Sequence, residues 1–133
     1  MVSPALNAAA LWSGLLILIF TALTIRVTLN RRQHKISMGD GGNPEMIAVT
    51  RAAGNAAEYV PPAVVVLILM ALTGCPVWSI HAIGGAFFLG RALHPIGLSA
   101  TGLPGPGRAG GMILTWLPLI LGSLALIVHA ILR

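Results

Sequence analysis

Arg51-Ala-Ala-Gly-Asn55-Ala-Ala-Glu58-Tyr59-Val-Pro61 runs straight into the apolar block Pro62 to Leu72, and this stretch decides how the chain folds. Arg51, Asn55 and Glu58 are spaced i, i+4 and i+7, so a helix gathers them into one polar stripe, while the alanines and Gly54 keep that face narrow. Ionisable side chains inside a membrane-length apolar segment are expensive and normally face a bundle interior or a cavity. Something must therefore meet the stripe.

The surroundings of that stretch are those of a membrane protein. Hydrophobic residues make up 56% of the 133, charged residues 8%, and the mean hydropathy is +0.90, against roughly a quarter charged in an ordinary soluble domain. Aromatics are scarce while glycine and alanine abound. That suits helices packed closely through small residues rather than a barrel with aromatic girdles. The formal charge of +5 comes from Arg26, Arg31, Arg32, Lys35, Arg51, Arg91, Arg108 and Arg133. Without an aromatic-studded polar surface to carry it, this excess reads as topology and anionic ligands, not as nucleic-acid binding. The single cysteine, Cys75, excludes an internal disulfide and a CxxC pair, and His34, His81 and His129 have no spacing that defines a metal site.

Four apolar segments are each close to the roughly 20 residues that cross the hydrocarbon core as a helix: about 5–28, 45–73, 77–98 and 107–132. The expected fold is a single all-α unit over 1–133, an antiparallel four-transmembrane-helix bundle. No positive n-region precedes the first segment, which is too long for a signal-peptide core and is read as a retained span. Between the segments lie a basic, glycine-containing loop (Asn30 to Pro44), a short turn (Gly74-Cys-Pro76) and a Pro/Gly loop (Ser99 to Pro106). The short turn makes helices two and three antiparallel neighbours. Asn43-Pro44-Glu45 reads as a helix start, with a capping asparagine, proline in the first turn and an acid at the positive dipole end. Pro61-Pro62 is expected to bend helix two beside Glu58.

Lysine and arginine placement gives the orientation. Arg31, Arg32 and Lys35 lie in loop one, loop three leads into Arg108, and the Gly74–Pro76 turn carries no basic residue. Loops one and three are therefore expected in the cytoplasm and both termini outside; Arg133 alone argues the other way. Antiparallel packing about Cys75 puts residues whose numbers sum to about 150 at one depth. Glu58 then lies level with Arg91, and the embedded acid is expected to pair with the embedded arginine. Arg26, Arg51 and Arg108 remain at the inner end without a protein counter-charge, so an anionic ligand entering from the cytoplasm is the simplest account.

Read together, Gly39-Asp-Gly-Gly, Arg51-Ala-x-Gly-Asn55-x-x-Glu58-Tyr59-x-Pro61, Gly90-Arg91-x-Leu-His94, and Arg108 with Thr115 resemble the MAPEG family, the membrane-associated proteins of eicosanoid and glutathione metabolism, and above all its small bacterial members. The resemblance covers about Arg26 to Thr115. It implies a four-helix subunit assembled as a homotrimer in the bacterial inner membrane, with glutathione as co-substrate held between subunits on the cytosolic side. Its partners would be its own copies, membrane lipids and a lipophilic small molecule that is conjugated, reduced or isomerised.

Carried over residue by residue, the resemblance makes Arg51, Asn55, Glu58 and the adjoining Tyr59 part of the glutathione pocket, the carboxylate suiting the ligand's ammonium and the arginine its carboxylates. Arg91 would pair with Glu58, and His94 would meet a ligand carboxylate. Arg26 would reach the site from a neighbouring subunit, with Arg31 as the alternative. Arg108 corresponds to the arginine near the thiol, the one catalytic assignment. A thiol of pKa near 8.5 is mostly protonated at neutral pH, and a guanidinium favours the nucleophilic thiolate. Ala109, Met112 and Leu98 stand where active relatives often carry a serine and two tyrosines, so glutathione binding is better supported than any particular chemistry.

Blander accounts exist for each of these residues. The helix-two stripe could be a structural polar network, Arg91 could serve only to balance Glu58, and His94 could bond a carbonyl released by Pro95. Arg31, Arg32 and Lys35 read as a topogenic, lipid-facing cluster. Two rival functions also remain. One is a small four-helix multidrug transporter, in which Glu58 would exchange protons for cationic drugs. The other is a non-catalytic subunit that binds glutathione or lipid.

Overall fold

Ser3 opens the first helix, its Oγ accepting the Leu6 N–H at 3.2 Å ahead of a proline that costs nothing at the first helical position. In this computed structural model, which describes residues 3–98 and 105–132, four helices follow in order: α1 (Pro4–His34), α2 (Pro44–Leu72), α3 (Val77–Ile96) and α4 (Pro106–Leu132). The all-α, four-helix architecture is the one expected. Residues 99–104 of loop three, and Arg133, lie outside the described residues.

The largest difference from expectation is the length of α1, which ends at His34 instead of near Thr28. Nothing between Leu29 and His34 breaks a helix, and Arg31, Arg32 and His34 in the last turn complement the negative end of the dipole. The helix stops only at Lys35, which turns left-handed at φ 54°. Loop one shrinks accordingly to the residues between His34 and Pro44. Helix α2 starts as expected, with Asn43 Oδ1 accepting the backbone N–H groups of Glu45 (2.9 Å) and Met46 (3.1 Å). It continues as helix through Pro61 and Pro62 to Leu72.

Helices α1, α2 and α4 are long and apolar enough to cross a membrane. Although α3 has the length, at 20 residues or roughly 30 Å, its glycines, His81, Arg91 and His94 make it less apolar. Packing explains why it tolerates them. Helices α2 and α3 each touch the other three, whereas α1 and α4 have no contact among the described residues. The cross-section is thus a rhombus with α2 and α3 on its short diagonal. The turn does make α2 and α3 neighbours, but the broadest interfaces are α1 on α2 and α3 on α4. Small buried residues on both helices, Ala5, Ala8 and Ala9 near the start of α1 and Ala52, Ala56 and Ala63 along α2, let the helices approach closely. Leu16, Leu67, Met70, Ile80 and Phe87 fill the space towards the turn.

Candidate functional site

Along α3 the buried positions Gly84, Phe87, Arg91 and His94 form one inward stripe. Arg91 is 2% exposed and its guanidinium joins α3 to partners on α2 and α4. From α2, Asn55 Oδ1 accepts from Nη1, and the Tyr59 ring lies with its centroid 5.5 Å from Cζ, a cation–π distance. From α4, Thr115 Oγ1 accepts from Nη2 at 2.6 Å, with the Gly111 carbonyl at 3.4 Å and Met112 Sδ at 3.6 Å. Thr115 Oγ1 in turn donates to the Gly111 carbonyl (2.7 Å), and Trp116 Nε1 donates to the Tyr59 hydroxyl (2.9 Å). Only Nε of the guanidinium has no partner.

Glycine makes the junction possible. A Cβ on Gly111 would stand 2.8 Å from both the Gly90 carbonyl and the His94 nitrogen, and one on Gly90 would stand 2.9 Å from Thr115 Oγ1. The two backbones therefore touch, which brings Thr115 within reach of Arg91. One turn further on, Gly97 lies against the backbone of Gly107 and Arg108, so the end of α3 fixes the start of α4.

The expected Glu58–Arg91 ion pair does not form. Asn55 takes the arginine instead, and Glu58 is exposed on the outer face of α2. Helical angles give the reason. At about 100° per residue, Glu58 falls roughly 180° from the middle of α2's buried face and Asn55 about 120° from it. The depth matches the expectation, since Asn55 and Arg91 meet across the bundle, but the carboxylate points the other way. Arg51 shares Glu58's exposed side, Arg108 is exposed at the start of α4, and His94 is 4% exposed beneath α4's first turns. Among the described residues the sole ion pair is His34–Glu45, at 3.2 Å, so none of these arginines has a carboxylate within 4 Å.

Arg26 stands apart. It lines an open cleft of about 290 Å³ between α1, α2 and α3, with Glu45, Val49, Ala52, Pro95 and Leu98. Its side of α2 is about 100° round from the Arg51–Glu58 side. Within one chain, then, the structure joins Asn55, Tyr59 and Arg91, leaves Arg51, Glu58 and Arg108 open, and puts Arg26 in separate surroundings.

Beyond that expected set, the participants are Thr115, Met112, Trp116 and Glu45. A lone threonine four residues after Gly111 in an otherwise apolar helix was a legible signal for the first. Glu45 carried none beyond its role at the helix start.

All of these residues lie inside a longer match. The MAPEG family model covers residues 9–128 of the chain. This chain belongs to the MAPEG family. Among MAPEG-type relatives, the inner membrane protein YecN of Escherichia coli strain K12 is 34% identical over 116 residues, which span 87% of this chain and 85% of that protein. YecN of Escherichia coli O6:H1 matches to the same extent. The MAPEG segment holds the whole Arg91 junction, the Arg51–Glu58 face, Arg108 and the Arg26 cleft. Met112, inside that segment, sits directly against the Arg91 guanidinium.

Proposed function

We propose that this MAPEG protein is a glutathione-dependent enzyme of transferase or peroxidase type, working as a homotrimer in a bacterial inner membrane with loops one and three in the cytoplasm and both termini outside. The observation that carries this reading is the open face beside the Arg91 junction. Arg51, Glu58 and Arg108 are charged, exposed on a single chain, and sit in helices otherwise suited to hydrocarbon. Acyl chains cannot solvate Glu58, which lies within the hydrocarbon span, and Arg51 and Arg108 stand at its inner edge, so a second copy and a polar ligand are the economical cover. The name of the YecN relatives supports the inner-membrane assignment.

In this reading the tripeptide enters from the cytosol. Arg51 holds a carboxylate, Glu58 holds the ammonium, and Asn55 and Tyr59 are kept in place by Arg91. His94 is buried and backs the α3–α4 contact. Arg108 stabilises the thiolate while the thiol proton leaves to solvent. Sulfur then attacks an electrophilic carbon of a bilayer-dissolved substrate, forming the C–S bond as the leaving group departs with its electron pair. Against a hydroperoxide, sulfur would attack the terminal oxygen, breaking the O–O bond to release the alcohol and leave glutathione sulfenic acid, and the thiol of a second glutathione would displace water from it to close the disulfide.

Thermal stabilisation of the detergent-purified protein by glutathione is the first test. Wild type should be stabilised, and Arg51→Ala and Glu58→Gln should not. Conjugation of a generic electrophile, lost in Arg108→Ala with the fold intact, would separate an enzyme from a binding subunit. A native mass three times the 13.8 kDa chain tests the trimer. One observation favours a rival. Glu58 is unpaired, as a carboxylate exchanging protons for cationic drugs would be, and proton-coupled dye uptake into vesicles without a glutathione effect would favour that transporter.

A further inference from the structure

The Arg26 cleft lies at a definite depth. Counting about twenty residues, or roughly 30 Å of hydrocarbon, from Pro4 down α1 ends near Leu23 to Arg26. The same count back from Leu72 ends near Ala52, and forward from Val77 it ends near Ile96. Arg26, Ala52, Pro95 and Leu98 therefore sit where acyl chains give way to headgroups, and Glu45, seven residues before Ala52 on α2, stands about 10 Å further out on the headgroup side.

The cleft also has two signs of charge. Arg26 has no carboxylate within 4 Å among the described residues. Opposite it, Glu45 is oriented from one side. Asn43 Nδ2 donates to His34 Nδ1 (3.2 Å), which leaves the ring proton on Nε2, directed at Glu45 Oε2 (3.2 Å). The second oxygen of Glu45 keeps its acceptor capacity. Between the two charges the wall is Val49, Ala52, Pro95 and Leu98. At about 290 Å³ the space is at the small end for a drug-sized ligand and sufficient for a lipid headgroup.

We propose that this cleft binds an ethanolamine phospholipid, the phosphate on Arg26, the primary ammonium on Glu45, and the glycerol and first methylenes on the apolar wall. His34 is a positioning residue that aims Glu45. This site is on a different side of α2 from the face assigned to glutathione, and it holds whether or not that assignment does.

Native mass spectrometry of the full-length protein tests the proposal, with phosphatidylethanolamine, phosphatidylglycerol and phosphatidylcholine of identical acyl chains titrated separately. Losing one charge-assisted hydrogen bond is worth about ten-fold in retention, so phosphatidylethanolamine should be held about ten-fold more strongly than the other two. Arg26→Gln should weaken all three lipids, whereas Glu45→Gln should remove only the preference for ethanolamine; His34→Gln should reduce that preference in part. Because the preference is a ratio within one preparation, partial unfolding cannot imitate its loss. Equal retention of the three lipids, an unchanged preference in Glu45→Gln, or displacement of the bound lipid by millimolar glutathione would each overturn the proposal.

Discussion

Helix α3 meets α1 and α4 through glycines on both sides, yet the two contacts are built from opposite chemistry. Towards α1, the Trp12 side chain lies over Gly84 and Gly85, donates Nε1 to His81 Nδ1 at 3.0 Å, and tilts against Phe88 at 6.1 Å. Towards α4, Gly90 and Gly111 bring two backbones together and admit a guanidinium with its polar partners. In the first case missing Cβ atoms make room for a ring, and the contact is held mainly by shape. In the second they shorten a distance so that hydrogen bonds can form. A bundle in lipid has little hydrophobic force between its helices, so each seam needs one of these devices. The end of the bundle that carries free charge uses the polar one.

Substitutions can break either seam, and the backbone contact should be the more fragile. Gly111→Val should cost about 3 kcal/mol or more, or prevent folding, because its Cβ meets main-chain atoms that cannot step aside. Thermal unfolding in detergent measures this. Arg91→Met should cost about 1–3 kcal/mol, since the methionine fills the space but strands Asn55 and Thr115; Arg91→Lys should not restore both bonds, having no planar fork. Gly84→Ala should cost about 1–2 kcal/mol, because a side chain can move where a backbone cannot. Combining it with Trp12→Leu should show a favourable coupling in a double-mutant cycle, and strict additivity would mean that the ring and the glycine do not hold the seam together. Trp116→Phe, which removes only the bond to the exposed Tyr59 hydroxyl, should cost about 0.6 kcal/mol, the usual scale of a hydrogen bond inside a membrane.

Depth in the bundle was legible from the sequence, and facing was not. A turn at Gly74–Pro76 and a constant rise per residue were enough to bring helix two's polar stripe level with Arg91. Choosing between Asn55 and Glu58 needed the rotation of α2 about its axis, which the alanines on its α1 side determine. In the sequence Ala52 and Ala56 look like spacers in the stripe, yet with Ala63 they lie on the buried face of α2. The extent of α1 was missed for a different reason. Hydropathy marks where a helix leaves lipid, whereas the hydrogen-bonded coil ends only where a residue such as Lys35 adopts a left-handed conformation. The Arg26 cleft was illegible because three separate helices supply its walls.

Loop one bears on how the protein can be handled. Gly39, Gly41 and Gly42 all have left-handed backbones, at φ 68°, 60° and 69°, where other residues are strained. Arg31 grips the Gly39 carbonyl at 2.9 Å, and Asp40 Oδ1 accepts the Gly42 N–H at 2.9 Å. Although it is the obvious polar gap between two spans, this hairpin is a poor place to splice an epitope or a fluorescent reporter: an insert there would unclip both helices at once.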